Sequence, residues 1–325
     1  AFADTFRQRL AAGRGPQKVI MNVTYRCNNR CNFCAVGNRQ QLDGDFDFQR
    51  EVLARYRKLG LTLVDFDGGE PTLYENLVPL IRYCRSIGYE RINVTSNGRM
   101  CVYPKYARRL VRSGLTTLLF SVHGSNAETH ARNVGVPEAF DQTIEGIRQC
   151  VAAAPATVDL GMNITLTKSN VAELADVTQL AFDLGLRWLN IQFLTPFGRA
   201  TSRVNPDTHA AAQATMSVID EWRDRMKFQV INLPYCFLPG YEEFVVGDLM
   251  KLSRHMVFVN NADVNLYEYL QERRAYAPEC HSCTRKMFCG GFYDLEESPE
   301  PPWTFDILDP DDALRLADAG ATHAE

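Results

Sequence analysis

The chain has 325 residues, 46% of them apolar and 23% charged, with a formal net charge of −4. That composition can bury a sizeable core and excludes a largely disordered chain. Scattered lysine and arginine exclude the basic stripe that a phosphate backbone needs, and no apolar run approaches the roughly 20 residues that span a bilayer. The first seventeen residues lack the apolar segment of a signal peptide, so a cytoplasmic protein with no nucleic-acid or membrane partner is expected.

In chain order, residues 1–17 are expected to precede the first strand, "KVIMNVTY" (18–25), which leads into a cysteine-rich loop. A helix is predicted over "FDFQREVLARYRKLG" (46–60) and a strand over "LTLVDFDG" (61–68). The alternation continues with helix "LVPLIRYCRSIG", strand "RINVTSNG", helix "KYARRLVRSG" and strand "TTLLFSVHG". Next come helix "AFDQTIEGIRQCVAAA", strand "TVDLGMNITLT", helix "VAELADVTQLAFDLG" and strand "WLNIQFLT". Helices closing on Gly60, Gly88, Gly114 and Gly185 before apolar runs give the βα rhythm of a parallel sheet.

Six such units predict an α/β fold, a partial (β/α)6 TIM-like barrel over 18–200, with ligands at the carboxyl ends of the strands. The unusual residues fall at those ends: the cysteine loop, "GGEPT" (68–72), "SNG" (96–98) and "SVHG" (121–124). Ten cysteines argue for metal ligation rather than a disulfide framework. Cys84, Cys101 and Cys150 stand alone and read as small buried hydrophobes. Cys27, Cys31 and Cys34, spaced C-x₃-C-x₂-C, can hold three corners of an iron–sulfur cube and leave the fourth iron open. A zinc site completed from elsewhere is the alternative. In "GGEPT", paired glycines permit close backbone approach and Glu70 can accept from an ammonium group; a plain turn with a capping carboxylate is the alternative.

"CNNRCNFC" followed by "GGEPTL" resembles the radical S-adenosylmethionine (SAM) enzymes over residues 18 to about 195. The resemblance implies that Cys27, Cys31 and Cys34 hold a [4Fe–4S] cluster whose open iron is chelated by SAM. Reductive cleavage of SAM to a 5′-deoxyadenosyl radical would then abstract hydrogen from a substrate. Gly68, Gly69 and Glu70 match the family's methionine-amino site, and Phe33 would meet adenine. By position, Ser96 and Asn97 are expected to contact ribose or carboxylate, and Ser121 the methionine carboxylate. Arg132 is expected at that carboxylate too, with Asn163 and Gln192 pointing in from strands five and six and Leu194 beside adenine. A flavodoxin or ferredoxin-type electron donor is the implied partner.

Beyond the barrel, "NPDTHAAAQATMSVIDEWRDRMK" (205–227) predicts a linking helix and "MVFVNNADVNLYEYL" (256–270) a hairpin turning at Asn260–Asp263. The hairpin precedes "CHSCTRKMFCGGFY", and the pair resembles the Twitch or SPASM extension that carries an auxiliary cluster. A further cysteine of that pattern is replaced by Tyr293. Cys236, Cys280, Cys283 and Cys289 remain, enough for a second [4Fe–4S] cluster, with Cys236 alternatively a hydrogen-atom donor. The expected division is therefore 1–17, a barrel of 18–200, an auxiliary-cluster region of 201–295 and an acidic tail of 296–325. Cys236, Tyr293 and the anion-binding Arg199 are the catalytic candidates. His123, His130 and His281 read as solvated or capping. The implied function is radical chemistry on a small polar metabolite of sugar, aminoglycoside or nucleoside type in natural-product biosynthesis, ending in oxidation, epimerisation or decarboxylation. Maturation of a ribosomal peptide is the rival reading, and a non-catalytic iron–sulfur protein the second.

Overall fold

The structure, a computed structural model, describes residues 18–195, 197–247, 254–271, 274–286 and 289–293. The expected extension 1–17 and tail 296–325 lie outside the described residues. Seven parallel strands run in sequence order: β1 (Lys18–Thr24), β2 (Leu63–Gly68), β3 (Arg91–Ser96), β4 (Thr117–Ser121), β5 (Asp159–Thr165), β6 (Trp188–Gln192) and β7 (Lys227–Ile231). Between them lie α1 (Phe46–Lys58), α2 (Leu77–Ser86), α3 (Pro104–Val111), α4 (Ala127–Val134), α5 (Ala139–Ala153), α6 (Leu174–Asp183) and α7 (Thr208–Trp222). The barrel rhythm is as the sequence predicts.

Local chemistry explains the elements. Asp45 caps α1 by accepting from Phe48 N–H at 2.7 Å, and Val52, Leu53 and Tyr56 turn one face of that helix inward. Gly60, Gly88, Gly114 and Gly185 all have positive φ, the left-handed stop that returns each helix to its next strand. Among the elements that escape the sequence reading are α4 and β7. α4 is capped by Asn126 and stopped by Gly135, and β7 alternates buried Phe228 and Val230 with exposed neighbours.

The sheet does not end near residue 200. β8 (Val245–Val246) adds to β7, while β9 (Arg254–Val257) pairs in parallel with β1, from Lys18 opposite Arg254 to Met21 opposite Val257. β10 (Asp263–Asn265) returns antiparallel to β9, so the predicted hairpin forms and lies on the barrel's own sheet. α8 (Leu266–Gln271) follows, and β11 (Arg274–Ala275) with β12 (Phe292–Tyr293) makes a separate small ribbon.

Period-two alternation sorts the strand residues between two faces. Val64, Phe66, Val94, Phe120, Leu189 and Ile191 have no exposed surface and pack in the core beneath the helices. Each such side chain contributes roughly 1.5–3 kcal/mol by leaving water. The opposite, inner face is polar: Asn22 stands level with Asp67, Asp65 with Asn93, Ser121 with Asn163, and Asn163 with Asn190.

Candidate functional site

The carboxyl ends of β1, β2 and β3 are stitched together by backbone bonds. Gly69 N–H donates to the Thr24 carbonyl at 2.7 Å and Glu70 N–H to the Arg26 carbonyl at 2.8 Å, extending the β1–β2 pairing into the cysteine loop. A Cβ on Gly69 would sit 2.4 Å from the Arg26 oxygen, and one on Gly68 2.3 Å from the Thr24 oxygen. Only glycine permits that approach. With these N–H groups spent, the corner has oxygen acceptors to offer, which complements an ammonium group.

Glu70 is 1% exposed and sits among four donors. Its Oε1 accepts from Thr72 N–H at 2.9 Å, the Thr72 hydroxyl at 2.5 Å and the Ser96 hydroxyl at 2.7 Å, and Oε2 from Asn97 N–H at 2.6 Å. Burial pushes its carboxyl up, and the bonds from Thr72 and Asn97 pull it back. Glu70 is thus both the capping carboxylate of the Pro71–Leu73 turn and a pin between β2 and β3. Ser96 and Asn97, expected at a nucleotide, are largely engaged with protein: Ser96 Oγ also accepts from Gly98 N–H, and Asn97 Nδ2 donates to Asn28 Oδ1 at 2.7 Å.

Asn28 belongs to the cysteine loop, which is clamped on three sides. From β3's end, the Arg99 guanidinium donates to the Asn28 carbonyl and to Asn29 Oδ1 at 3.0 Å, and is itself held by Gln142 at 2.7 Å and Glu138 at 3.2 Å. From α4's end, the Val134 and Asn133 carbonyls accept from Arg30 N–H at 2.7 Å and Asn32 N–H at 3.0 Å. From beyond β6, Arg199 N–H donates to the Cys34 carbonyl at 3.0 Å. None of these clamps is predicted from the sequence, although Arg99 and Arg199 each follow a strand end within a few residues.

Cys27, Cys31 and Cys34 are partly buried and uncrosslinked. Burial pushes Cys27 up to about 11, with Glu70 and Cys34 adding negative charge, and pushes Cys31 up further, with Cys34 and Cys27 adding. Arg199 opposes both shifts, and its Nε is buried without a hydrogen-bond partner. Three thiols in one loop, whose ionised forms repel one another without a metal, stand beside an unpaired guanidinium N–H that calls for an acceptor, and that set fits a thiolate-held iron–sulfur cluster. Among the described residues no three ligating side chains converge on a single ion-sized point.

The remaining predicted residues scatter around this centre. Phe33 packs edge-on to His123, ring centroids 4.6 Å apart. His123 and His130 are not solvated, being 4% and 0% exposed. Burial holds them down at about 3 and about 4, so both are neutral; His130 Nδ1 accepts from His123 N–H and His123 Nδ1 from Thr165 N–H. His281 is exposed as expected. Ser121, Asn163 and Gln192 lie toward the mouth on the inner-face alternation, and Leu194 is buried just beyond β6. Arg132 instead pairs with Glu128 at 2.7 Å on an exposed face of α4. Cys84, Cys101 and Cys150 are fully buried, as expected.

A second thiol group lies in the C-terminal part. Burial pushes Cys236 up to about 12, and Cys289, Cys280 and Cys283 each add to the shift, which places the four thiols in one electrostatic neighbourhood. Arg285 stands among them, paired with Glu242 at 3.0 Å. Tyr293 is 6% exposed and accepts from Arg274 Nη2 at 3.0 Å, with that guanidinium 4.0 Å above its ring.

The chain is 30% identical over 191 residues to a "Probable GTP 3',8-cyclase" of Saccharolobus solfataricus, covering 57% of this chain and 59% of that one. It is 29% identical over 226 residues to an "AdoMet-dependent heme synthase" of Nitratidesulfovibrio vulgaris, covering 69% and 60%. The chain thus spans about six tenths of the length of these curated relatives. In fold it is similar to Streptococcus suis SuiB bound to S-adenosylmethionine, with a TM-score of 0.69 at 16% identity over 87% of this chain and 74% of that one. The family model described as the Radical SAM superfamily matches residues 21–178, which contain the cysteine loop, the glycine corner and the clamps from Arg99 and the end of α4, but not Arg199. Residues 21–178 of the chain are therefore similar to the Radical SAM superfamily.

Proposed function

We infer that the chain is an enzyme that cleaves SAM reductively and abstracts hydrogen from a small polar metabolite held in the barrel. The observation that carries this reading is the fusion of the cysteine loop to the Gly68–Gly69–Glu70 corner, since it sets three thiols beside a cluster of oxygen acceptors. Cys27, Cys31 and Cys34 would hold a [4Fe–4S] cluster, which supplies one-electron reduction of a bound sulfonium and so breaks its carbon–sulfur bond. The acceptors at Gly68 and Gly69 would orient the methionine ammonium, and Phe33 would border the adenine. Arg199 would place positive charge beside the cluster or the methionine carboxylate. The inner-face amides and hydroxyls would bind the substrate, and the buried rim would keep water from the radical.

Cys236, Cys280, Cys283 and Cys289 would carry the second cluster of a Twitch-like region over 201–295, with 18–200 as the SAM-binding part. Their shared electrostatic neighbourhood supports ligation over a separate hydrogen-donor role for Cys236. A flavodoxin or ferredoxin would supply electrons in a cytoplasmic, natural-product setting.

Anaerobic reconstitution with iron and sulfide, followed by SAM and dithionite, tests the reading. Formation of 5′-deoxyadenosine by the parent protein and its loss in Cys27→Ala are expected. A parent protein that takes up iron but neither binds nor cleaves SAM would refute it, and turnover restricted to ribosomal peptides would replace the metabolite with the maturase reading.

A further inference from the structure

The inner face of the barrel carries charges that do not balance. Near its base, Lys18 Nζ pairs with Asp65 Oδ2 at 2.6 Å, and Asn93 Nδ2 donates to Asp65 Oδ1 at 2.8 Å. One cation therefore answers one carboxylate. Two residues nearer the mouth, Asp67 lies on the same face and accepts only from Gly68 N–H at 2.9 Å. Among the described residues no side chain donates to it. Glu70, the next carboxylate along, has its own four donors. Asp67 is the carboxylate left without a counter-ion.

A second, independent observation lies across the barrel. Asn190 is 5% exposed, yet its Oδ1 is buried with no hydrogen-bond donor. Leu189 and Ile191 on either side are fully buried in the helix-covered core, and Asn190 pairs in register with Asn163, so its side chain is on the inner face. A buried carbonyl oxygen without a donor is costly, and a ligand donor inside the barrel would satisfy it.

Both vacancies ask for N–H or O–H groups, and one of them also asks for positive charge. We propose that the barrel interior binds its substrate through a protonated primary amine, with Asp67 as counter-ion and Asn190 Oδ1 accepting from a second donor of the same molecule. An ammonium group has three donors and no acceptor, which is the complement of this pair. The substrate class is therefore an amine-bearing polar metabolite such as an amino sugar or amino cyclitol. This assignment rests on the SAM-dependent reading above. The methionine ammonium of SAM is a rival source of the same charge beside Gly68, and the experiment separates the two.

Binding is measured by calorimetry on the reconstituted protein held saturated with SAM under anaerobic conditions. The probes are 2-deoxystreptamine and glucosamine, with scyllo-inositol and glucose as their uncharged counterparts. The amines are expected to bind at least tenfold more tightly than the neutral polyols. Asp67→Asn is expected to lower amine affinity tenfold or more without changing that of the polyols, and Asp67→Glu to restore part of it. Asn190→Ala is expected to weaken amine and polyol alike. Parent-like iron content and a cooperative thermal melt show that the variants fold. Equal binding of amines and polyols, no binding of either amine, or an Asp67→Asn effect confined to SAM affinity would overturn the assignment. Failure of the parent protein to bind SAM would instead remove the reading beneath it, and the assignment with it.

Discussion

Glu70 and Asp67 stand three residues apart on one strand end and illustrate two fates of a buried carboxylate. Four donors compensate Glu70, two of them backbone N–H groups on opposite oxygens. Glu70→Gln keeps the shape but turns one acceptor into a donor, so Thr72 or Asn97 N–H is left facing an NH₂ group. An unpaired buried N–H costs about 1–3 kcal/mol, so the urea midpoint of the cluster-free protein is expected to fall accordingly. An unchanged midpoint would mean that Glu70 is free to serve a ligand alone. Asp67 is the uncompensated case: burial, with the charges of Asp65 and Glu70, pushes it up to about 6, while Gly68 N–H and Lys18 pull it down. Its folded state holds the proton more tightly than the unfolded chain, whose carboxyl titrates near roughly 3.9. The resulting penalty is absent below about pH 4, grows as pH rises toward 6 and is complete above it. Asp67→Asn is thus expected to match the parent protein at pH 4 and to exceed its stability by about 1–3 kcal/mol at pH 7.5. A pH-independent difference between the two would contradict this. The sequence shows "DGGE" as strand and turn but not which carboxylate lacks a partner, because that depends on Lys18, Asn93 and Ser96 arriving from other strands.

The cysteine loop shows how far element-level reasoning reaches. Spacing identifies Cys27, Cys31 and Cys34 as a group, and the βα rhythm places them at a strand end. What holds the loop in place comes from elsewhere: Arg99 after β3, Asn133 at the end of α4 and Arg199 beyond β6. These contacts span 70 or more residues, and no local pattern announces them. α4 itself is legible in principle, since "SNAETHARNVG" has an N-cap asparagine, an acidic first turn and a terminal glycine, but its eight residues are too short for a helical apolar period to stand out. Arg99 bridges four groups through a planar fork that an ammonium on a flexible stem does not reproduce. Arg99→Lys is therefore expected to fold, with a thermal midpoint only a few degrees lower, while retaining severalfold less iron per chain after reconstitution. Equal iron content and an identical visible absorption spectrum would show that the clamp is dispensable to the loop.

At the scale of the whole molecule, the question is whether the barrel is a body of its own. The sequence rhythm suggests a boundary at residue 200, because six βα units are complete there and the composition changes afterwards. The sheet argues otherwise. β9, formed by residues 254–257, covers β1 along four paired positions, and Asn22 Nδ2 reaches the Val257 carbonyl at 3.4 Å. The turn of β10 locks α1 in place: Tyr56 donates its hydroxyl to Asp263 at 2.6 Å, and Arg55 pairs with the same carboxylate at 2.5 Å. At the far edge, Trp222 of α7 packs on Phe182 of α6 at 5.3 Å, and buried Phe228 and Val230 of β7 border β6. A chain ending at residue 200 would expose the edge of β1, whose Val19 and Met21 have no exposed surface, and would uncover the outer side of α6. Residues 18–200 produced alone are therefore expected to aggregate or to lose side-chain order while keeping helical circular dichroism, whereas 18–293 unfolds cooperatively as a monomer. Size-exclusion chromatography and thermal melts in the near- and far-ultraviolet distinguish the outcomes. A cooperative melt from monomeric 18–200 would show that the late strands decorate the barrel without holding it. The expected failure of that fragment has a corollary: the strands that bring Cys236 and the later thiols into place also pair with the edges of the sheet that carries the glycine corner, so the two thiol groups share one folding unit.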